Sequence, residues 1–126
     1  MIIFAIMGES GCGKDWLAKE LAAARPDLFH YIVSTTSRPI REGEVNGVDY
    51  HYINRLEFIA AEDEDEFLES TCFNGWYYGT RKKDLREDKI NIGVFNPTGV
   101  RTLQKRKDIT LVTYRLTCSS KQRLLR

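Results

Sequence analysis

The stretch GESGCGKDW, residues 8–16, is the part of the sequence that determines the fold. Its Gly-x-x-x-x-Gly-Lys spacing is typical of a phosphate-binding loop, in which successive backbone N–H groups surround a phosphate and the lysine brings a positive charge to it. The next position holds Asp15, where this motif has Ser or Thr. Two interpretations follow: a working nucleotide site with a relocated acid, or a site that has decayed.

The residues on either side of this stretch predict the strand and the helix that such a loop requires. Residues 2–6 form a continuous apolar run, as in a parallel strand covered on both faces. After Lys14, apolar residues recur at helical spacing until Pro26 ends the pattern. An ordinary glycine-rich turn is the alternative, but this context favours binding of a nucleotide polyphosphate. The predicted ATP-binding residues are Gly8, Glu9, Ser10, Gly11, Cys12, Gly13, Lys14 and Asp15.

The composition limits the classes of function. With 126 residues, of which 42% are hydrophobic, the chain can build the core of one domain or of one domain with a small inserted lobe. The formal net charge of +1 gives no general attraction to nucleic acid or to an anionic membrane. Three cysteines without a Cys-x-x-Cys pair fit a reducing cytosol, and the N-terminal apolar run is too short for a signal peptide. A cytoplasmic protein is expected.

Alternating strands and helices predict an α/β fold. Together with the first strand and helix, the later elements indicate a P-loop NTPase core with a parallel sheet flanked by helices. This core is assigned to residues 1–33 and 81–126. Its further strands are predicted near residues 31–33, 90–95 and 109–116, and its further helices at residues 82–89 and 100–106.

Residues 34–80 predict a separate β-rich lobe that is inserted into this core. A helix is expected at residues 56–62, a half-exposed strand in VDYHYI and paired strands in EFLESTCFNGWYYGT. The lobe has three basic and ten acidic residues, a net charge of −7, so the rest of the chain carries +8. We therefore expect an acidic lobe and a basic remainder.

The segment STTSRPIREGEVNGVDYHYI, residues 34–53, together with the phosphate loop, resembles the guanylate kinases. Two further motifs follow in the order found in that family: EFLE, which ends at Glu69, and GWYYGT, which ends at Thr80. Taken singly, each motif residue could be a surface charge or an ordinary strand residue. Three separate motifs in the correct order are far more specific. The resemblance extends from residue 2 to about residue 123 and weakens after Thr80.

The resemblance implies an ATP-dependent kinase that transfers the γ-phosphoryl group to GMP or dGMP with Mg²⁺. In the family, arginines and tyrosines hold the GMP phosphate, and an acid with hydroxyl groups reads the guanine; forked guanidinium donors suit the first role and an ionised carboxylate the second. The implied GMP-binding residues are Ser34, Arg38, Arg41, Glu44, Tyr50, Glu69, Tyr78, Gly79 and Thr80. The implied catalytic residues are Lys14, Arg38, Arg41, Arg123 and Arg126, with Asp15 as the metal ligand.

Three features depart from the family's pattern. Asp15 replaces the hydroxyl group that meets Mg²⁺, and Val94 and Asn96 stand where the family has Asp-x-Asp. The chain ends in SSKQRLLR, which resembles the start of the family's lid helix and includes Arg123 and Arg126. We expect either a fragment of a longer protein or a reduced protein that completes its fold by self-association.

A non-catalytic guanylate-kinase-like binding module is the alternative function. The lost acidity at Val94 and Asn96 supports it, whereas the retained loop with Lys14 supports an enzyme. The carboxylate of Asp15 is a suitable ligand for a hard cation, which favours a working site with a relocated acid. The expected partners are ATP and GMP or dGMP, with no nucleic acid and no membrane.

Overall fold

A computed structural model describes residues 1–8 and 12–117 of the chain. The chain divides into two compact units. The first consists of Met1–Tyr31 and the chain from Arg86 onward, and the second of Ile32–Leu85.

The helices and strands follow one another in an order close to the predicted one. In chain order they are β1 (Ile2–Gly8), α1 (Lys14–Ala24), β2 (Phe29–Tyr31), β3 (Thr35–Thr36), β4 (His51–Tyr52), α2 (Arg55–Asp63), β5 (Phe67–Phe73), β6 (Trp76–Arg81), β7 (Ile90–Val94), α3 (Pro97–Gln104) and β8 (Thr110–Leu116).

The first unit contains a four-stranded parallel sheet in the order β2-β7-β1-β8. Its core includes Ile6 of β1, Ala18 of α1 and Ile92 of β7, all fully buried. The parallel sheet with flanking helices confirms the predicted α/β class. In the described part of the chain β2 and β8 are the outermost strands of this sheet, and Val112 and Tyr114 of β8 are exposed.

The predicted helix at residues 82–89 is wrong. Only Lys82–Asp84 forms a single 3-10 turn. The cause lies in the buried side chain of Asn91, which accepts a hydrogen bond from the Arg86 N–H and donates to the Arg86 carbonyl, both at 2.7 Å. These bonds satisfy the backbone of Arg86 in a turn, so the local preference of this charged segment for a helix is overridden by a tertiary contact.

The second unit contains a mixed four-stranded sheet in the order β4-β3-β6-β5, with β5 and β6 forming the predicted hairpin. Helix α2 begins at a capping box, in which the Asn54 side chain accepts from the Glu57 N–H and the Glu57 side chain accepts from the Asn54 N–H. It packs through Phe58 against Phe67 of β5, with ring centroids 4.4 Å apart. The hairpin sheet therefore has a small core of its own.

No helix within the described residues is long and apolar enough to span a membrane.

Candidate functional site

The phosphate loop begins at Gly8 and enters α1 at Lys14. A Cβ atom on Gly8 would lie 2.4 Å from the carbonyl oxygen of Leu116 in the adjacent strand, so this position requires glycine. Gly13 caps the helix with φ of 82°, a left-handed conformation that glycine adopts without steric cost. The Lys14 ammonium donates to the Gly8 carbonyl at 2.9 Å, which brings its charge back over the start of the loop.

Asp15 lies in the first turn of α1, directly after the loop lysine. The Tyr31 hydroxyl donates to its Oδ1 atom at 2.5 Å, and the Lys19 ammonium lies 2.9 Å from its Oδ2 atom. The same ammonium lies 5.8 Å from the centroid of the Tyr31 ring. Both carboxylate oxygens are therefore engaged by neighbours that the sequence motif did not reveal.

The remaining residues of the predicted ATP site are only partly described. Glu9, Ser10 and Gly11 lie outside the described residues, as do Arg123 and Arg126. Cys12 is buried, whereas Cys72 is exposed and free.

In the second unit, Arg38 and Glu44 form a bidentate ion pair. The guanidinium donates to both carboxylate oxygens, at 3.0 and 2.9 Å, and Glu44 also accepts from the Arg41 N–H at 2.8 Å. Hydrogen bonding to Arg38 lowers the pKa of Glu44 to about 2, and hydrogen bonding to Glu44 raises the pKa of Arg38. Three of the predicted GMP-binding residues are thus gathered in one loop, while Arg41 itself is exposed.

Tyrosine rings surround the Arg38 guanidinium. Its central carbon lies 5.4 Å from the Tyr50 ring centroid and 5.7 Å from that of Tyr52, and Tyr50 meets Tyr78 edge-on at 6.0 Å. Arginine over aromatic faces is held by cation–π attraction. The structure therefore brings Arg38, Tyr50 and Tyr78 together, and their contact with the GMP phosphate stays a prediction.

Tyr52 is a site residue that the sequence analysis missed. Burial raises the pKa of Tyr52 to about 12, with the nearby Glu44 carboxylate adding to the effect. Its hydroxyl is buried without a partner at hydrogen-bond distance among the described residues, so burial is the main cause. The sequence offered one indication of this position: Tyr52 lies two residues after Tyr50, and alternate residues of an extended chain lie on the same face.

Glu69 and Thr80 face each other on the β5–β6 hairpin. The Thr80 hydroxyl donates to Glu69 Oε1 at 2.8 Å, and burial raises the pKa of Glu69 although that hydrogen bond opposes the shift. A register shift between Phe67 and Glu69 places the acid opposite Thr80. Such bulges turn a side chain to a new direction. The predicted guanine-reading acid therefore has a hydroxyl neighbour and a partly desolvated carboxylate.

Two other predicted residues have structural roles in the described contacts. A Cβ atom on Gly79 would lie 2.7 Å from the Phe67 ring, so glycine is required here by packing. The Ser34 carbonyl accepts from the His51 N–H at 2.8 Å, which joins the start of β3 to β4. Their direct contact with GMP stays a prediction.

The positions of the family's Asp-x-Asp are occupied by residues that support the fold. Val94 packs against the buried Ile6, Ala18 and Ile92 cluster. Asn96 caps α3, because its side-chain oxygen accepts from the Gly99 N–H at 2.7 Å. Within the described residues, no group of three or more His, Cys, Asp or Glu side chains could hold a metal ion.

A glycine loop and a lysine between the first parallel strand and its helix define the P-loop class of nucleotide-binding proteins. A family model described as "Guanylate kinase" matches residues 1–114. The chain belongs to the guanylate kinase family.

Individual relatives show the extent of the similarity. The chain is 43% identical over 91 residues to a guanylate kinase of Prochlorococcus marinus, with 72% of this chain and 48% of the relative covered. It is 35% identical over 128 residues to that of Chlamydia felis, with 98% and 62% covered. The crystal structure of guanylate kinase from Anaplasma phagocytophilum has a similar fold, with a TM-score of 0.78, 23% identity, and 98% and 63% coverage. The chain thus spans about half to three fifths of the length of these relatives.

Proposed function

We propose that this protein transfers the γ-phosphoryl group of ATP to GMP or dGMP. The observation that carries the proposal is the contact between Glu69 and Thr80, a half-buried acid beside a hydroxyl group. An ionised carboxylate accepts from the N1–H and N2–H donors of guanine, and a threonine hydroxyl can donate to its O6 atom. Adenine lacks these donors, so this pair would select guanine by hydrogen bonding.

Arg38, together with Tyr50 and Tyr78, supplies a second, separate part of the acceptor site. A guanidinium fork suits a phosphate better than a point charge does, and Arg41 offers a second, exposed fork three residues along the chain. Tyr50 and Tyr78 add hydroxyl donors. Binding energy from these groups would position the GMP phosphate for attack, and no nucleophilic side chain is needed for the transfer.

The phosphate loop would hold the donor nucleotide. Its backbone N–H groups and Lys14 would neutralise the charge of the outer phosphates. Mg²⁺ usually keeps several waters and takes one or two carboxylates together with substrate phosphates, so a single acid in the loop fits an ion that arrives with ATP. Asp15 would be that acid and would act through waters that the ion retains, because both of its carboxylate oxygens already contact Tyr31 and Lys19. The ion would neutralise charge on the transferring group. Arg123 and Arg126 stay predictions for closure over that group.

A coupled assay for ADP production tests the proposal, with GMP, dGMP and AMP as acceptors in parallel. We expect turnover with GMP or dGMP and little with AMP. Lys14→Met should abolish the turnover, and Lys105→Met on the exposed C-terminal end of α3 is the matched control. ATP binding without turnover under all conditions would instead support a non-catalytic binding module.

The proposal also covers the partners, the oligomeric state and the location of the protein. The nucleotides are the proposed partners, and absence of nucleic-acid and membrane partners, self-association and a cytoplasmic location stay predictions. Size-exclusion chromatography with light scattering, with and without GMP and ATP, tests the self-association.

A further inference from the structure

Asp15, Lys19 and Tyr31 form a closed cluster in the first unit, which we call the Asp15 cluster. Each member contacts the other two: Tyr31 donates to Oδ1 of Asp15, Lys19 pairs with Oδ2, and the Lys19 ammonium lies over the Tyr31 ring. Lys19 is one helical turn from Asp15, whereas Tyr31 comes from strand β2. The carboxylate is therefore held from two different secondary-structure elements.

The position of this carboxylate makes its restraint significant. Asp15 directly follows Lys14 in the first helical turn, where the positive end of the helix favours anions. A carboxylate free to rotate at this place would repel the phosphates of a nucleotide, because both carry negative charge. In the Asp15 cluster one oxygen is hydrogen-bonded and the other is paired with an ammonium, so the direction of the carboxylate is restrained and its charge is partly offset.

We propose that Tyr31 and Lys19 are positioning residues, which hold the Asp15 carboxylate toward β2 and so allow a phosphate loop with an acid in the hydroxyl position to bind ATP. This inference rests on the proposed function. It assigns to Tyr31 and Lys19 a role that neither the loop motif nor the GMP-site residues imply.

Tyr31→Phe is the sharpest probe, because it removes one hydrogen bond and leaves every charge in place. Lys19→Gln is less specific, since a lysine near the loop attracts phosphates whether or not Asp15 is present. Tyr114→Phe is the matched control: Tyr114 also lies in the first sheet, and it stacks on Phe4 at 6.4 Å. Asp15→Ala provides the background in which the Tyr31 hydroxyl has lost its carboxylate partner.

The cluster is tested first without any nucleotide. Thermal denaturation is measured for the unaltered chain, Tyr31→Phe, Asp15→Ala and the double variant. We expect Tyr31→Phe to lower Tm by about 2–5 °C in the unaltered chain and by less than half of that in the Asp15→Ala background. Equal shifts in both backgrounds would show that the two side chains are not coupled, and would overturn the proposal.

The positioning role is tested by calorimetric ATP binding with and without Mg²⁺. In Tyr31→Phe the released carboxylate should weaken metal-free ATP binding by about two- to fivefold, while added Mg²⁺ should recover more affinity than in the unaltered chain. Both changes should vanish in the Asp15→Ala background and be absent in Tyr114→Phe.

A purely structural role for Tyr31 would lower Tm but leave the ratio of ATP affinities with and without Mg²⁺ unchanged. That result, or the same ratio change in the Asp15→Ala background, would overturn the positioning role. Failure of the unaltered chain to bind ATP at all would refute the proposed function and the positioning role with it, whereas the thermal comparison still decides whether the cluster exists.

Discussion

Arg38 binds Glu44 through two parallel hydrogen bonds while only 7% of the arginine side chain is exposed. The pair is therefore a built part of the second unit, and it presents the guanidinium beside Tyr50. Arg41, in the same loop, is exposed, and its described contacts with Glu44 are made by its backbone: its N–H donates to the Glu44 carboxylate and its carbonyl accepts from the Glu44 N–H. The two arginines are thus expected to respond differently to substitution.

Arg38→Ala and Arg41→Ala should each weaken GMP binding by about ten- to hundredfold, since a charge-assisted hydrogen bond contributes about 1.5–3 kcal/mol. ATP binding should be unchanged in both. Arg38→Ala should also lower Tm, because Glu44 loses its partner, whereas Arg41→Ala should not. Calorimetry and thermal denaturation measure these effects, and a parallel loss of ATP and GMP affinity would mean that the arginines belong to another site.

Acidification should weaken GMP binding at a pH above the usual titration range of a glutamate. Burial raises the pKa of Glu69, so its carboxylate takes up a proton earlier than an exposed one as the pH falls. A protonated Glu69 can no longer accept both guanine donors. Glu69→Gln should bind GMP about tenfold more weakly at neutral pH and lack this pH dependence. Identical pH profiles for the two proteins, measured by calorimetry, would exclude Glu69 as the guanine acid.

The Arg38–Glu44 pair should stabilise the fold down to unusually low pH. The pKa of Glu44 is lowered from 4.5 to about 2, so its stabilising effect is fully present above pH 4.5 and is lost as the pH falls from there toward 2. The difference in Tm between the unaltered chain and Glu44→Gln should therefore be constant near neutral pH and shrink below pH 4.5. A difference that persists unchanged at pH 2 would contradict the shifted pKa.

Gly8→Ala should destabilise the first unit by about 2 kcal/mol or more, because the new Cβ would overlap the Leu116 carbonyl. Gly47→Ala is the matched control. Its φ of 85° disfavours a side chain, but a Cβ there meets nothing within 4 Å, so it should cost only about 1–2 kcal/mol. Chemical denaturation compares the two. Equal losses would show that the close approach at Leu116 is relieved without cost.

Asp15→Asn should raise the Mg²⁺ concentration needed for ATP binding if the carboxylate serves as a metal ligand, because a charged ligand becomes neutral. A repulsive, passive Asp15 predicts the opposite sign, with tighter ATP binding both with and without metal. Titration of ATP across a Mg²⁺ series distinguishes the two, and Asp15→Ser tests whether the usual hydroxyl restores the metal dependence.

The parts of the fold that depend on local pattern could be predicted from the sequence. Continuous apolar runs identified β1, β7 and β8, and the loop between β1 and α1 follows from its glycines and Lys14. The helix expected over residues 82–89 failed because Asn91, farther along the chain, binds the backbone of Arg86. No local propensity contains that contact.

Only some residues of the candidate site could likewise be predicted from the sequence. Glu69 and Arg38 were found because the family's motifs contain them. The contact between Asp15 and Tyr31 could not be found in this way, because Tyr31 lies 16 residues away and reaches Asp15 only when β2 packs beside α1. The hydroxyl of Tyr52 was missed because its burial depends on the fold around Arg38 and Glu44.

The exposed outer strand β8 has a practical consequence for work with this protein. A strand at the edge of a sheet offers unpaired backbone groups to other molecules. Exposed apolar side chains such as Val112 and Tyr114 favour such association further. Within the described residues β8 pairs on one side only, so we expect light scattering of concentrated samples to detect association through this strand. Val112→Lys would place a charge on this strand, which opposes strand-to-strand pairing, and should raise the concentration at which association begins.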